Sequence, residues 1–177
     1  MIQDIFSVGI SSYNLHNIDN YKLVEYAKKT SNKNKFKETE DILSNDLFIK
    51  LNNIVKEKMN EYYSSIYNGN HKIKLFKAWS NLSDDNYITI PHTHNESIVS
   101  AVYYPHSVEG EIIFLNPAMS VLSLQKKWMV DNYNKYTSEY FSVEVKTGNL
   151  IVFNSMLCHM VKCKDKNRVS IAYEGVI

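Results

Sequence analysis

The sequence predicts a mainly β fold with helices at its N-terminal end, its strands closed into a jelly roll. Three observations carry this. Residues 20–67 place apolar side chains at three-to-four spacing, from residue 72 onward the spacing changes to two, and about eight short β-rich runs then follow in roughly 100 residues, separated by turn residues. Eight antiparallel strands preceded by helices that can pack on one face suit a jelly roll better than an alternating β-α-β fold, and no repeat at a fixed period of about 20–50 residues points to a solenoid or propeller. At 177 residues, 44% hydrophobic and 22% charged, the chain is long and apolar enough to fold, and a single domain is expected, with 1–70 as helical support and 71–177 as the β core.

The elements follow in order. Asp19 or Asn20 caps a first helix whose Tyr21, Val24, Ala27 and Lys28 share a face. Ser44-Asn45-Asp46 opens a longer one, with Leu47, Leu51, Ile54, Val55, Lys58 and Tyr62 on one stripe. Between them, the Lys/Asn-rich stretch 31–39 reads as a surface loop. Strands are expected over 72–79, 87–91, 98–104, 111–115, 140–145, 149–153, 158–162 and 168–173, where β-branched and aromatic residues alternate. Residues 116–139 interrupt this rhythm. The segment is long for an internal loop and contains Trp128, Met129 and Tyr133, as a lid or binding loop would.

Composition excludes several classes. Twenty Lys+Arg balance 19 Asp+Glu, a net charge of +1, so nothing global favours nucleic acid or an anionic membrane. Cys158 and Cys163 are too few for a disulfide scaffold and have no zinc spacing, which fits a reducing, cytoplasmic setting. With no basic-then-apolar leader and no apolar run of about 18 residues, neither secretion nor membrane spanning is expected. Arg168 is the one arginine in a chain whose Lys, Asn, Ile and Tyr richness favours lysine wherever a generic positive charge suffices.

The chemistry concentrates in Pro91-His92-Thr93-His94-Asn95-Glu96-Ser97. In extended backbone, alternate side chains share a side, so His92, His94 and Glu96 can converge; a histidine pair at i, i+2 is metal-ligand spacing, suited to Fe, Zn, Cu or Ni. His159, alone in an apolar stretch, would usually be a satisfied core residue. A jelly roll, however, sets strands distant in sequence side by side, so it can close a three-point site. Nine residues on, Arg168 and Ser170 alternate onto one strand face, where a guanidinium fork and a hydroxyl together can bind a carboxylate in a way lysine cannot.

Taken together, Trp79-x-Asn81, His92-x-His94-x-x-Ser97-x-x-Ser100-Ala101-Val102-Tyr103-Tyr104, Gly148 to Ser155 with His159-x-Val161, and Arg168-x-Ser170-x-Ala172 resemble the 2-oxoglutarate/Fe(II) oxygenases common in marine phages and bacteria. The likeness covers roughly residues 70–177 and includes a phage-encoded protein in a host cytoplasm among its implications. It implies a double-stranded β-helix, Fe(II) at the barrel mouth and 2-oxoglutarate reaching inward. His92 and His159 match the two histidine ligands of that family, and Arg168 with Ser170 matches the anchor for the distal carboxylate. Tyr103 or Tyr104 could add a phenolic hydrogen bond, and parity alone does not choose between them. The general pattern is His-x-Asp/Glu…His, whereas His94 stands at the middle position here, so three histidines ligate, or His94 stands behind the ligands and water completes the site, or the competing frame His94-x-Glu96 supplies a carboxylate; the His92 frame aligns the downstream residues better.

The resemblance implies hydroxylation of an unactivated C–H bond with release of succinate and CO2. Peptidyl prolyl, asparaginyl or aspartyl side chains, a free amino acid and a nucleotide are all open as substrate. Neither a nucleic-acid nor a membrane partner is expected, and a homodimer is left open. Two rivals remain at this point: a cupin-like three-histidine enzyme without 2-oxoglutarate, and a non-catalytic metal- or carbohydrate-binding jelly roll. Neither needs a carboxylate anchor at Arg168.

Overall fold

Alternation along the C-terminal two thirds of the chain builds two antiparallel sheets, whose facing surfaces enclose one core while the helices cover a second. The computed structural model describes residues 7–30, 42–118 and 131–177; the expected 31–39 loop and the 119–130 part of the expected lid, with Trp128 and Met129, lie outside the described residues. In chain order the elements are β1 (Ile10–Asn14), α1 (Asn20–Thr30), α2 (Ile49–Tyr67), β2 (Lys74–Ser83), β3 (Val99–His106), β4 (Gly110–Leu115), β5 (Tyr140–Glu144), β6 (Asn149–Asn154), β7 (His159–Cys163) and β8 (Arg168–Val176). A 3-10 turn, Asp46–Phe48, leads into α2, and the Asn45 side chain caps it by accepting from the Leu47 N–H at 3.0 Å. Asn68, at φ 51°, ends α2 in the left-handed conformation that asparagine tolerates.

The larger sheet runs β1-β6-β3-β8-β2 and the smaller β5-β4-β7. From β2 to β8 the chain crosses from sheet to sheet at nearly every connection, which is the jelly roll the alternation predicts. On the outer face of the larger sheet, Ala101, Tyr103, Leu150, Val152, Ile171 and Tyr173 pack with Leu51, Val55, Met59 and Tyr62 of α2 in one core cluster. Between the sheets, Tyr104, Ile151 and Phe153 meet Ile112, Phe114 and Leu157 in a second. No described helix is long and apolar enough to cross a membrane.

Four expectations shift, among them β2, which runs to Ser83 where the strand was expected to end at 79. β1, in a stretch for which the sequence suggested no element, pairs antiparallel with β6. The 87–91 run pairs only through isolated bridges, Ile88 to Lys162 and His92 to His159, at the free edge of the smaller sheet. β8 continues to Val176, past the apparent stop at Glu174-Gly175. Gly175 belongs inside the strand because a Cβ there would lie 2.5 Å from Ile73 Cγ2 and 2.9 Å from Met59 Cε.

Candidate metal and co-substrate site

Strand pairing lays the inner face of the larger sheet out in rows, since directly opposed residues share a face. Ser100 opposes Phe153 on one side and Glu174 on the other, and Glu174 opposes Lys77. In the next row stand Ile151, Val102, Ala172 and Trp79, then Ser170 opposite Asn81, then Arg168 opposite Ser83. One strand, β8, thus carries Arg168, Ser170 and Glu174 on the same face, as its period of two requires.

The histidines meet at the Glu174 end of this face. His92 and His159 exchange both backbone hydrogen bonds, at 3.0 Å each, which fixes their side chains next to one another. Their ring centroids lie 4.4 Å apart, and the His94 ring is 5.2 Å from each. One ligand nitrogen from each of the three falls within 4.8 Å of the others.

Hydrogen bonding decides which nitrogen each ring offers. His92 Nδ1 lies 2.9 Å from the Ile90 carbonyl and His159 Nδ1 lies 2.9 Å from the Leu157 carbonyl. A carbonyl can only accept, so both rings carry their proton on Nδ1 and leave the Nε2 lone pair free. His94 does the same against a carboxylate, its Nδ1 2.8 Å from Glu174 Oε1.

Burial disfavours the charged form of His159 and His94. His159, against Phe153 at 4.7 Å and Phe114 at 6.0 Å, has its pKa lowered from 6.5 to about 4, chiefly because burial disfavours the charged form. His94 is lowered too, by burial first, with Glu174 opposing. Below pH 6.5 the unfolded chain therefore binds protons that the folded chain refuses, and this contribution to stability, intact above 6.5, is lost progressively as pH falls toward about 4. For His159 alone that interval corresponds to about 3 kcal/mol, at about 1.4 kcal/mol per pH unit. Urea unfolding of the metal-free protein at pH 7.5 and 4.5 should show the loss, and His159→Gln should reduce it; equal pH dependence in both proteins would contradict a neutral buried imidazole.

At the other end, Arg168 is 1% exposed and Tyr104 fully buried. The guanidinium stacks over the Tyr104 ring, 4.8 Å from its centroid. Yet Arg168 Nε and Nη2 and the Tyr104 hydroxyl make no well-formed hydrogen bond among the described residues; burial raises the pKa of the Tyr104 hydroxyl, and the neighbouring guanidinium opposes that rise. Each such group costs about 1–3 kcal/mol, more when charged. A Cβ at Gly110 would come within 3.3 Å of Arg168 Nε, so glycine leaves room beside the fork.

Residues 77–174 match the family described as "Putative 2OG-Fe(II) oxygenase". The chain belongs to that family. Its residues fit the groups the family uses: three converging imidazoles for iron, and a buried guanidinium, two of whose nitrogens have no hydrogen-bond partner among the described residues, with a phenol for a carboxylate such as that of 2-oxoglutarate. Among solved structures, HygX from Streptomyces hygroscopicus with nickel and 2-oxoglutarate bound is 11% identical, with a TM-score of 0.63 over 96% of this chain and 83% of that one. The 2-oxoglutarate-dependent epimerase SnoN from nogalamycin biosynthesis is 13% identical (TM-score 0.63; 96% and 78% covered), and a Pseudomonas putida prolyl-4-hydroxylase 16% (0.59; 95% and 87%). Against an oxidoreductase of the 2OG-Fe(II) oxygenase family from Burkholderia pseudomallei (12% identical; TM-score 0.52) 73% of this chain aligns, and it spans 55% of that protein's length. At these identities the likeness is one of fold. No curated protein matches the chain.

Of the residues singled out from sequence, His92, His94 and His159 come together, and Arg168, Ser170 and Tyr104 share the inner face beyond them. Tyr103 points the other way, into the helix-side core, where its hydroxyl donates to Asn20 Oδ1 at 2.6 Å. Glu96 is exposed in the turn that follows His94 and is not part of the histidine cluster. The alternation that would have aligned it ends where that turn begins. Glu174 and the Phe114/Phe153 packing around His159 carried no sequence signal.

Proposed function

We propose that the protein hydroxylates an unactivated C–H bond, using Fe(II) and 2-oxoglutarate. The observation that supports this reading best is the pair of guanidinium nitrogens on buried Arg168 that have no hydrogen-bond partner among the described residues, on the sheet face whose other end meets the histidines. A three-histidine metalloenzyme without 2-oxoglutarate, or a non-catalytic jelly roll, has no use for a buried cation that stacks on Tyr104 yet leaves two nitrogens without a partner among the described residues, at about 1–3 kcal/mol per orphaned group.

In this reading the Nε2 atoms of His92, His94 and His159 hold the metal, while their Nδ1–H groups fix ring orientation through Ile90, Glu174 and Leu157. Arg168 and the Tyr104 and Ser170 hydroxyls bind the distal carboxylate, so the co-substrate can enter in one orientation. Phe114 and Phe153 exclude water behind His159, and Trp79, 6.0 Å from the His94 ring, walls the other side. When bound, iron with 2-oxoglutarate and dioxygen supplies the oxidising chemistry, at the cost of converting the co-substrate to succinate and CO2.

The reading is tested by supplying the purified protein with Fe(II), 2-oxoglutarate and panels of free amino acids and prolyl-, asparaginyl- or aspartyl-containing peptides, and measuring succinate. Succinate formation that rises with one compound, together with a product heavier by one oxygen, is expected. Succinate no greater than in a metal-free control would remove the assignment, and turnover without oxygen insertion would replace hydroxylation by another outcome.

A further inference from the structure

The three histidines are not held alike. In His92 and His159 the Nδ1 proton is received by the backbone carbonyl two residues earlier, Ile90 and Leu157, so local chain geometry alone selects the tautomer. The corresponding carbonyl for His94 is that of His92, which already accepts the His159 N–H at 3.0 Å in the bridge that joins the two edges. What meets His94 Nδ1 instead is Glu174 Oε1, from a strand 80 residues along the chain.

We propose that Glu174 is the positioning residue that makes His94 a metal ligand. The inference rests on the three-histidine reading above and adds to it a requirement that spacing does not reveal. A neutral imidazole has two tautomers, and only the one protonated on Nδ1 presents an Nε2 lone pair to the metal. Glu174, acceptor-only as a carboxylate, selects that tautomer and places its negative charge one ring away from a dication that three neutral imidazoles leave uncompensated.

The surroundings hold both partners still. The His94 backbone is fixed by its N–H donating to Ser155 O at 2.9 Å and its carbonyl accepting from Ser97 N at 3.2 Å. Behind it, the buried hydroxyl of Ser155 accepts from Ser97 Oγ and shares a second hydrogen bond with Ser100 Oγ, both at 2.8 Å. Glu174 is buried, faces Ser100 and Lys77 across the sheet, and is followed by Gly175, whose carbonyl accepts from Ile98 N at 2.9 Å. Because β8 carries Arg168 at one end and Glu174 at the other, one paired strand sets the carboxylate anchor and the His94 ring in fixed register.

Titration of the metal-free protein with Co(II) alone, followed by visible absorption, tests this without turnover. Glu174→Ala should weaken Co(II) about 10–100-fold, and Glu174→Gln less, since an amide oxygen can still accept from Nδ1–H. In a His94→Ala background, Glu174→Ala should cause no further loss, because its effect passes through that ring. Should Glu174→Ala fail to fold, the near-isosteric Glu174→Gln supplies the same cycle. Wild-type affinity in the Glu174 variants, or an equal loss with and without His94, overturns the inference and leaves the three-histidine site standing. Absence of Co(II) binding by the wild-type protein overturns that site, and the inference with it.

Discussion

Arg168→Ala is expected to weaken 2-oxoglutarate binding about 10²-fold or more, because a dianion brought to a buried site then loses the charge-assisted, bidentate partner that offsets its desolvation. Arg168→Lys keeps the charge but replaces a planar fork by a point donor, so it should fall between wild type and alanine. Ser170→Ala should be milder than either. Tyr104→Phe separates function from stability: it removes a buried hydroxyl without a partner among the described residues, so the metal-free protein should gain up to about 1 kcal/mol while co-substrate binding weakens. Metal affinity should survive throughout the series, since Arg168 is six residues along β8 from Glu174, the strand's contact with the histidine cluster. Anaerobic titration with 2-oxoglutarate in the presence of Fe(II), beside Co(II) titration of the same proteins, reads both quantities. Wild-type affinity in Arg168→Ala would assign the buried guanidinium to some other partner and put the cupin-like or non-catalytic reading in place of 2-oxoglutarate dependence.

Most of the fold was legible for two reasons: the smaller sheet buries one face, which writes a period of two into β4, and the larger sheet is covered on both faces, which makes its strands short apolar runs bounded by turn residues. β3, β4, β6 and β7 begin and end within two residues of the expected positions. β1 was not legible: Ile10-Ser-Ser-Tyr-Asn is short and half polar, and it is a strand because β6 offers it an unpaired edge. The end of β8 was hidden for a different reason. Glu174-Gly175 has the composition of a turn, but the carboxylate is buried because His94 meets it and the glycine because Met59 and Ile73 pack on it, both of them tertiary facts. The same distinction runs through the candidate site. His92 and His94 declare themselves by spacing and Arg168 by being the one arginine, whereas the choice between Tyr103 and Tyr104 depended on which face of β3 meets the helices. Nothing local ties position 174 to position 94, 80 residues apart, so the carboxylate beside the histidines leaves no motif in the sequence.

His92→Ala and His159→Ala should each abolish iron-dependent turnover and weaken Co(II) by more than the roughly 100-fold expected from loss of an outer-shell carboxylate. Alanine leaves the backbone bridge between positions 92 and 159 intact, because its hydrogen bonds run N–H to C=O, so the loss should appear in metal binding before it appears in folding at neutral pH. The exception is the packing of the His159 ring against Phe153 and Phe114, whose removal leaves a cavity and should lower the melting temperature of His159→Ala, but not of His92→Ala, whose side chain is half exposed. Glu96→Gln discriminates the two frames that the sequence allowed. With Glu96 exposed in the turn after His94 and outside the cluster, turnover and Co(II) affinity should stay within about twofold of wild type, as expected of a surface substitution. If Glu96→Gln were the substitution that removed metal binding while His92→Ala retained it, the chain at 94–97 would have to reorganise around the ion, and the carboxylate would enter the site from Glu96.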